Sequence, residues 1–366
     1  MAREPHDPTP TFSVLNATNS ASDGQPRLYI AGCIGTVGAV LIAVRCANPC
    51  PFSKHPGVSC VLHVSGARAD WWHTRMAGLL PEMPVYPWNA VPDPGAVRYA
   101  VVWKPPPGGL RRFPALRAIV SIGAGVDHVL IDPDLPLGVP ILRTTGGDLT
   151  QRMREYIALH TLRLHRAEPA LRAAAARGDW TQIVTPPAAR RRVGVMGLGT
   201  LGSAAARTLA GLGFAVQGWA RSKRALENVT VFAGDAALPA FLEASEILIC
   251  LLPLTDATRG ILNARLFAAL PAGAGLINAG RGGHLVEADL IPALDAGHLS
   301  HAVLDVFETE PLLGDHPFWT DPRIDVTPHT ASLIDPDTGA RLIAENIRRM
   351  EAGAPIDDLI DPARGY

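Results

Sequence analysis

Charge is scarce in this sequence. Only 18% of its residues are Asp, Glu, Lys or Arg, against roughly 25% in an average soluble domain, and the formal net charge is −1. That balance gives no basic stripe for a nucleic-acid surface and no polybasic segment for a membrane-surface anchor. Cysteine is sparse too: Cys33, Cys46, Cys50, Cys60 and Cys250. A zinc site takes four ligands at suitable separations. Cys46 and Cys50 have no second pair to match them, so no metal is expected. An odd count without a disulfide framework reads as free thiols in a reducing compartment, and a cytoplasmic protein is expected.

Long apolar runs are missing, with one exception. Residues 28–44 contain no charged side chain. That length is the low edge of what a membrane-spanning helix needs. Arg27 and Arg45 flank the run symmetrically, so charge assigns no orientation. It is poorly built as a signal peptide, because the polar leader is long and no small-residue cleavage site follows. Ile30-Ala31-Gly32-Cys33 resembles a lipoprotein box, but there the apolar run follows the cysteine. Three readings stay open: a membrane anchor, a strand or helix packed on the folded body, and an extension without function, including a start codon placed too early. Residues 1–27, rich in Pro, Ser, Asn and Asp, read as disordered, and 1–57 is set apart as an extension.

The rest of the 366 residues is long enough for two domains. Short apolar strands are expected at 58–64, 99–103, 118–122 and 140–143. A helix over 69–80 carries Trp71, Trp72, Met76 and Leu79 near one face, and 81–94 is turn-rich. A longer helix is expected over 149–166. A second run of apolar strands follows at 193–196, 215–219, 247–252, 275–278 and 301–304. Continuous apolar strands alternating with helices predict an α/β fold of two Rossmann-like parallel-sheet domains, covered on both faces.

Gly197-Leu198-Gly199-Thr200-Leu201-Gly202 matches G-x-G-x-x-G. Alone the match is weak. Here an apolar strand precedes it and an alanine-rich helix follows, which is the context it requires. Gly197 allows the tight turn, Gly199 lets backbone approach a pyrophosphate, and Gly202 permits close helix–strand packing. At the end of the next strand an acidic residue would bond a ribose 2′-hydroxyl. This sequence has Arg221, Ser222, Lys223 and Arg224 instead. A guanidinium suits a 2′-phosphate, so NADPH is the expected cofactor, with NADH as the alternative.

Three polar residues stand just beyond apolar strands in the second half: Arg281, Glu310 and His329. Strand C-terminal ends are where open α/β sheets bind ligands. Each alone has an ordinary structural explanation; together, downstream of a dinucleotide turn, they point to a catalytic set.

The motifs of the chain now stand together: Val102-Trp103-Lys104-Pro105-Pro106, Ile122-Gly123-Ala124-Gly125-Val126-Asp127, the glycine turn, Trp219-Ala220-Arg221-Ser222, Asn278-Ala279-Gly280-Arg281-Gly282, the Asp305 to Leu312 segment, Thr327-Pro328-His329 and the terminal Arg364-Gly365-Tyr366. In this order they resemble the D-isomer-specific 2-hydroxyacid dehydrogenases, and within them the bacterial glyoxylate/hydroxypyruvate reductase A group. The resemblance runs from about residue 58 to the end.

It implies a flavodoxin-like substrate domain of residues 58–148 and 333–366, with the dinucleotide-binding domain of residues 149–332 inserted. It implies reduction of a small 2-oxo acid. Arg281 binds the carboxylate and 2-oxo oxygen, as a planar two-point donor can. Backbone N–H groups around Ala124, Gly125 and Val126 hold the carboxylate's other side. His329 is the general acid, and Glu310 orients its ring and favours its charged form. Asp305 bonds the nicotinamide amide or supports the site. Leu252, Pro253, Thr255 and Ala279 lie along the cofactor with Thr200 and Leu201. Trp103 and Lys104 are substrate-pocket candidates, whereas His128 and His284 receive no catalytic role. A homodimer is implied, with neither nucleic acid nor a membrane as partner. Two alternatives remain: another family member acting on lactate-like or phosphorylated hydroxy acids, and a non-catalytic NAD(P)(H)-sensing interaction protein.

Overall fold

The computed structural model describes residues 30–33, 40–43, 58–64, 68–356 and 358–360. The chain divides into two units, Met1–Pro56 and Gly57–Tyr366. In the first, β1 (Ile30–Cys33) and β2 (Val40–Ala43) pair antiparallel, with Ile30 opposite Ala43. These parts of the 28–44 run are therefore extended, which corrects the spanning-helix reading: a spanning helix is continuous over about 20 residues. The remaining expectations for 1–57 lie outside the described residues. Among the described residues no helix is long and apolar enough to cross a membrane.

The second unit contains two parallel sheets. The first holds β3 (Ser59–His63), β4 (Val85–Pro87), β5 (Val97–Val102), β6 (Ala118–Ser121) and β7 (Ile141–Leu142), in the order β4-β3-β5-β6-β7. This is the flavodoxin-like order, and its topology reverses between the first and third strands. The second holds β8 (Arg192–Met196), β9 (Ala215–Ala220), β10 (Val229–Ala233), β11 (Ile247–Cys250), β12 (Ala274–Asn278), β13 (Leu299–Leu304) and β14 (Ile324–Val326). Its order is β10-β9-β8-β11-β12-β13-β14. The reversal here falls between β8 and β11, the doubly wound dinucleotide-binding arrangement. Every residue of β6, β11 and β12 is buried. A strand covered on both faces needs such an unbroken apolar run instead of an alternating one.

The helices are α1 (Ala69–Leu79), α2 (Asp127–Leu130), α3 (Gly147–His165), α4 (Glu168–Ala176), α5 (Thr200–Gly211), α6 (Leu238–Glu243), α7 (Ala264–Ala268), α8 (Glu287–Asp295) and α9 (Pro336–Glu351). Two of them tie the sheets together. In α3, Met153 and Ile157 pack with Val195, Leu209 and Ile249 of the seven-stranded sheet and α5. Late in the chain, α9 returns to the five-stranded sheet. Asp335 caps it by accepting from the Thr338 amide at 3.0 Å, and Pro336 occupies its first turn, both favoured starts. Its Ala340, Ile343, Ala344 and Ile347 are buried against Met76, Val101 and Val120. Ile343→Ala there would cost roughly 2–5 kcal/mol. Leu359 then bridges antiparallel to Leu142.

Three features depart from the sequence reading. The segment read as turns, 81–94, contains β4, an edge strand. Pro87 is tolerated there because an edge position needs no donor on its outer side. The strands β10 and β14 and the helices α2, α4, α6, α7 and α8 have no counterpart in the sequence reading. On α1 only Trp72 and Met76 are buried, while Trp71 faces solvent.

Candidate active site

A cleft of about 410 Å³ opens where the C-terminal ends of both sheets meet. The five-stranded sheet contributes Trp103, Lys104, Gly123, Ala124 and Gly125; the seven-stranded sheet contributes Ala279, Arg281, Asp305, Glu310 and His329. Leu201, Leu149, Met153 and Ile334 are among the other residues of the wall. A second cavity of about 280 Å³ adjoins it, bordered by Lys104, Asp127, His128, Arg259, Arg281 and Glu310 among others. The sequence-predicted Arg281, Glu310 and His329 thus share one cleft with Trp103, Lys104, Ala124 and Gly125. Val126 does not line it: its side chain is buried with Val129 and Ile119.

His329 follows β14 and takes a left-handed backbone, φ 53°, which is strained for a residue with a side chain. Its backbone N–H donates to the Asp305 carbonyl at 2.8 Å and the Thr327 carbonyl at 2.9 Å. The carboxylate of Asp305 clasps the same loop. It accepts from the Thr327 hydroxyl at 2.6 Å, the Thr330 amide at 2.8 Å and the Ala331 amide at 2.9 Å. Tyr156 of α3 adds a bond of 2.8 Å to the Thr327 hydroxyl. Of the two roles expected for Asp305, the bonds present are those of support. Burial raises its pKa despite these donors.

On the imidazole, Nδ1 lies 3.0 Å from Glu310 Oε2. A carboxylate there accepts, so Nδ1 carries hydrogen and the other ring nitrogen is left for the cleft. Burial acts to raise the Glu310 pKa, but the hydrogen bond and charge of His329 outweigh it, and the net shift is downward. The Lys104 ammonium stands 3.6 Å from the same oxygen.

Arg281 projects from the turn after β12. Its Nε donates to Asp127 Oδ1 at 2.9 Å, and Nη1 to the Gly280 carbonyl at 2.7 Å. The guanidinium lies against Gly125 so closely that a Cβ at Gly125 would overlap Nη2. Its own amide donates to His284 Nδ1 at 3.0 Å, and His284 Nε2 meets the Pro253 carbonyl at 3.3 Å. Burial pushes the His284 pKa down to about 4. It is a neutral strut between the arginine turn and the 252–255 segment.

The glycine turn fits a pyrophosphate. Gly197 has φ 93°, and a Cβ there would press on the Leu251 carbonyl oxygen at 2.6 Å. A Cβ on Gly202 would overlap the Gly197 carbonyl, whereas Gly199 opens onto space with no neighbour within 4 Å. The N-terminus of α5 begins at the next residue, Thr200, and its free amides favour an anion. Beyond β9, Arg221, Ser222 and Lys223 are exposed, and Arg224 donates to the Leu198 carbonyl within the turn. Among the described residues no group of three or more His, Cys, Asp or Glu side chains is placed to hold a metal ion.

Sequence reasoning missed three contributors. Asp127, the partner of Arg281, reads locally as an acidic residue opening a short helix. Tyr156 sits in an ordinary helical pattern. The pairing of Ser121 with His128, Nε2 to Oγ at 3.1 Å, left no signal beyond the nearness of His128 to a glycine-rich motif.

Comparison with known proteins accords with this geometry. Residues 158–331 match the D-isomer specific 2-hydroxyacid dehydrogenase, NAD binding domain family. The glyoxylate/hydroxypyruvate reductase A of Yersinia enterocolitica is 37% identical over 303 residues, covering 81% of this chain and 96% of that protein. A D-isomer specific 2-hydroxyacid dehydrogenase from Xanthobacter autotrophicus, solved with NADPH and MES, is 44% identical; it superposes with a TM-score of 0.79 over 84% of this chain and 100% of its own. The NADPH-dependent glyoxylate/hydroxypyruvate reductase of Sinorhizobium meliloti, solved with NADP and sulfate, gives 41% identity and a TM-score of 0.77 over the same share of each chain. With relatives this similar aligned along nearly their whole length, and with the glycine turn and the Arg–Glu–His set in one cleft, the chain belongs to the D-isomer-specific 2-hydroxyacid dehydrogenase family.

Proposed function

We propose that this chain reduces a small 2-oxo acid, glyoxylate or hydroxypyruvate, to the 2-hydroxy acid with NADPH. The observation that carries the reading is the 3.0 Å bond between His329 Nδ1 and Glu310 Oε2, in the same cleft as Arg281. Gly197, Gly199, Thr200, Leu201 and Gly202 hold the pyrophosphate, Arg221, Ser222 and Lys223 receive the 2′-phosphate, and Leu252, Pro253, Thr255 and Ala279 flank the rest. Bound NADPH supplies the hydride.

The chain's own residues do the remainder. Arg281 binds the substrate carboxylate and 2-oxo oxygen, while amides at Ala124 and Gly125 hold the carboxylate's far edge. As the oxygen gains negative charge, His329 gives it the proton of its cleft-facing nitrogen. Glu310 accepts from Nδ1, which orients the ring and favours its charged form. Asp305 fixes the strained His329 loop. Leu149, Met153 and Ile334 wall the cleft with apolar surface, which limits water.

The test is oxidation of NADPH and NADH with glyoxylate, hydroxypyruvate and pyruvate, for the wild type and His329→Ala. Rapid NADPH-dependent turnover of the first two, lost in the variant, is expected. Tight cofactor binding with no turnover of any acid would defeat the reading.

Three finer points belong to the same proposal. Residues 58–148 and 333–366 form the substrate domain and 149–332 the cofactor domain; α9 and Leu359 on the five-stranded sheet support this division. The protein is a homodimer. In support, Leu159 and Leu162 of α3 and Trp180, Ile183 and Val184 beyond α4 are exposed apolar side chains, and mass measured by light scattering tests it. It works in the cytoplasm, where NADPH is supplied; Cys60 and Cys250 are free buried thiols, and cell fractionation tests that placement.

A further inference from the structure

His128 is half-buried beside the cleft, yet it lines only the outer cavity and the proposed chemistry leaves it unused. Its bonds close a chain in which every proton has one place. The Lys104 amide donates to Nδ1 at 3.2 Å. A ring whose Nδ1 accepts carries its hydrogen on Nε2, and that N–H donates to Ser121 Oγ at 3.1 Å. The same oxygen accepts from the Gly123 amide at 3.3 Å and donates its own hydrogen to the Gly125 carbonyl at 2.8 Å. The ring face of His128 meets Trp103, with centroids 4.5 Å apart and planes tilted by 58°. The indole in turn covers Gly123: a Cβ there would lie 3.0 Å from Trp103 Cζ3.

We propose that His128 is the positioning residue of the substrate pocket: through Ser121 Oγ and the Lys104 amide it holds the 123–125 loop, Lys104 and Trp103 in the geometry that receives a 2-oxo acid carboxylate. The partners distinguish this role from that of an ordinary buried histidine: Trp103 and Lys104 are walls of the cleft, and the buried Ser121 holds a third, the loop of Gly123, Ala124 and Gly125. Lys104 has a left-handed backbone, φ 47°, which a non-glycine residue keeps only when its surroundings impose it. The His128 bond is one such imposition, and from that backbone the ammonium reaches Glu310. Burial keeps the ring neutral, with a pKa lowered to about 4, so the tautomer persists through the neutral range. The Ala124 and Gly125 amides bind an anion only if the loop presents them together, and Ser121 grips that loop through the Gly123 amide and the Gly125 carbonyl.

The inference rests on the functional reading above, so its experiment separates the two. His128→Ala, His128→Gln and Ser121→Ala are compared with the wild type for KM and kcat of glyoxylate and hydroxypyruvate, and for NADPH binding by fluorescence. A positioning role predicts that His128→Ala and Ser121→Ala raise the 2-oxo acid KM about tenfold or more while kcat and the NADPH Kd change little. It also predicts that Gln, whose amide N–H takes the place of Nε2–H toward Ser121, recovers most of the loss. The pH profile keeps its shape in all three, because no proton in flight passes through His128. A KM within about twofold of wild type in both alanine variants overturns the proposal, as does a fall in kcat as deep as that of His329→Ala with KM unchanged. If His128→Ala does not fold, Ser121→Ala decides by the same criteria. If the wild type turns over none of the acids, the functional reading fails on its own. The Kd for oxamate on the NADPH complex then tests His128: weakening of about tenfold in both His128→Ala and Ser121→Ala supports the proposal, and an unchanged Kd in His128→Ala overturns it.

Discussion

Asp127 and Arg281 lie 154 positions apart in sequence, yet Arg281 Nε and Asp127 Oδ1 meet at 2.9 Å across the cleft. One follows β6 and the other β12, so the bond joins the loops of the two sheets. Burial acts to raise the Asp127 pKa, but the charge and hydrogen bond of Arg281 prevail and hold it below the usual carboxylate range. With Nε committed to Asp127 and Nη1 to the Gly280 carbonyl, the guanidinium has one orientation to offer a substrate.

Asp127→Asn keeps the shape of that partner and removes its charge. The 2-oxo acid KM is expected to rise about tenfold, with a smaller fall in kcat. Gly125→Ala acts harder, because its Cβ would displace the guanidinium itself; kcat/KM should fall about a hundredfold or more. Steady-state kinetics check both. An Asp127→Asn enzyme with wild-type KM would show that Arg281 needs no such partner.

Glu310 offers a second test, because its oxygen Oε2 serves His329 at 3.0 Å and Lys104 at 3.6 Å. Glu310→Gln retains an acceptor for Nδ1–H but no negative charge. Reduction at neutral pH should slow by about ten- to a hundredfold. The deficit should shrink as the pH is lowered, since a higher proton concentration replaces the missing electrostatic help. A deficit that is constant from pH 5 to 8 would mean that Glu310 only holds the ring in place.

The cofactor turn was legible because its constraints are local. Gly197 and Gly202 are demanded by backbone atoms a few residues or one strand away, so strand, turn and helix can be read in a single window. The Arg281, Glu310 and His329 set was legible because each follows an apolar strand end. The Asp127–Arg281 bond was not: nothing in either local pattern encodes a partner 154 residues distant. Strand β10 was missed because its residues are mostly half-buried, the mark of an edge without a continuous apolar run. Strand β14 was missed because it has 3 residues, too short for any periodicity. The Ser121–His128 chain was invisible for another reason. It depends on which ring nitrogen faces which loop, and only the folded geometry decides that.

The proposed function assigns cofactor preference to the exposed segment after β9. Replacing Arg221 by Ala, with Ser222→Ala, should raise the KM for NADPH about ten- to a hundredfold and leave that for NADH within a few-fold. The ratio of kcat/KM for the two cofactors reads the effect directly. Equal losses with both cofactors would place these side chains on the pyrophosphate or on the turn instead of a 2′-phosphate.

Stability should fall in mildly acid solution, and the buried histidines give the sign. His160 and His284 are 4% and 0% exposed, and burial is the first cause of pKa values lowered to about 4 in both. In the unfolded chain each ring titrates near about 6.5. Between those values the unfolded state binds more protons, so stability is fully present above about pH 6.5 and drains away as the pH falls toward 4, by on the order of 1–3 kcal/mol per ring. Asp305 opposes this, because its raised pKa lets the folded state take up a proton early, but it is one group against several rings. The carboxylates held low, Asp127 and Glu310 among them, add their losses from about pH 5 downward. His160 isolates the effect, since it lies outside the cleft, tilted by 49° against Tyr156 with centroids 4.2 Å apart and accepting from Arg163 at 3.4 Å. His160→Gln should therefore flatten the decline in Tm between pH 7 and pH 4.5 without altering the NADPH preference. An identical decline in wild type and variant would show that His160 is protonated in the folded protein and that the acid sensitivity arises elsewhere.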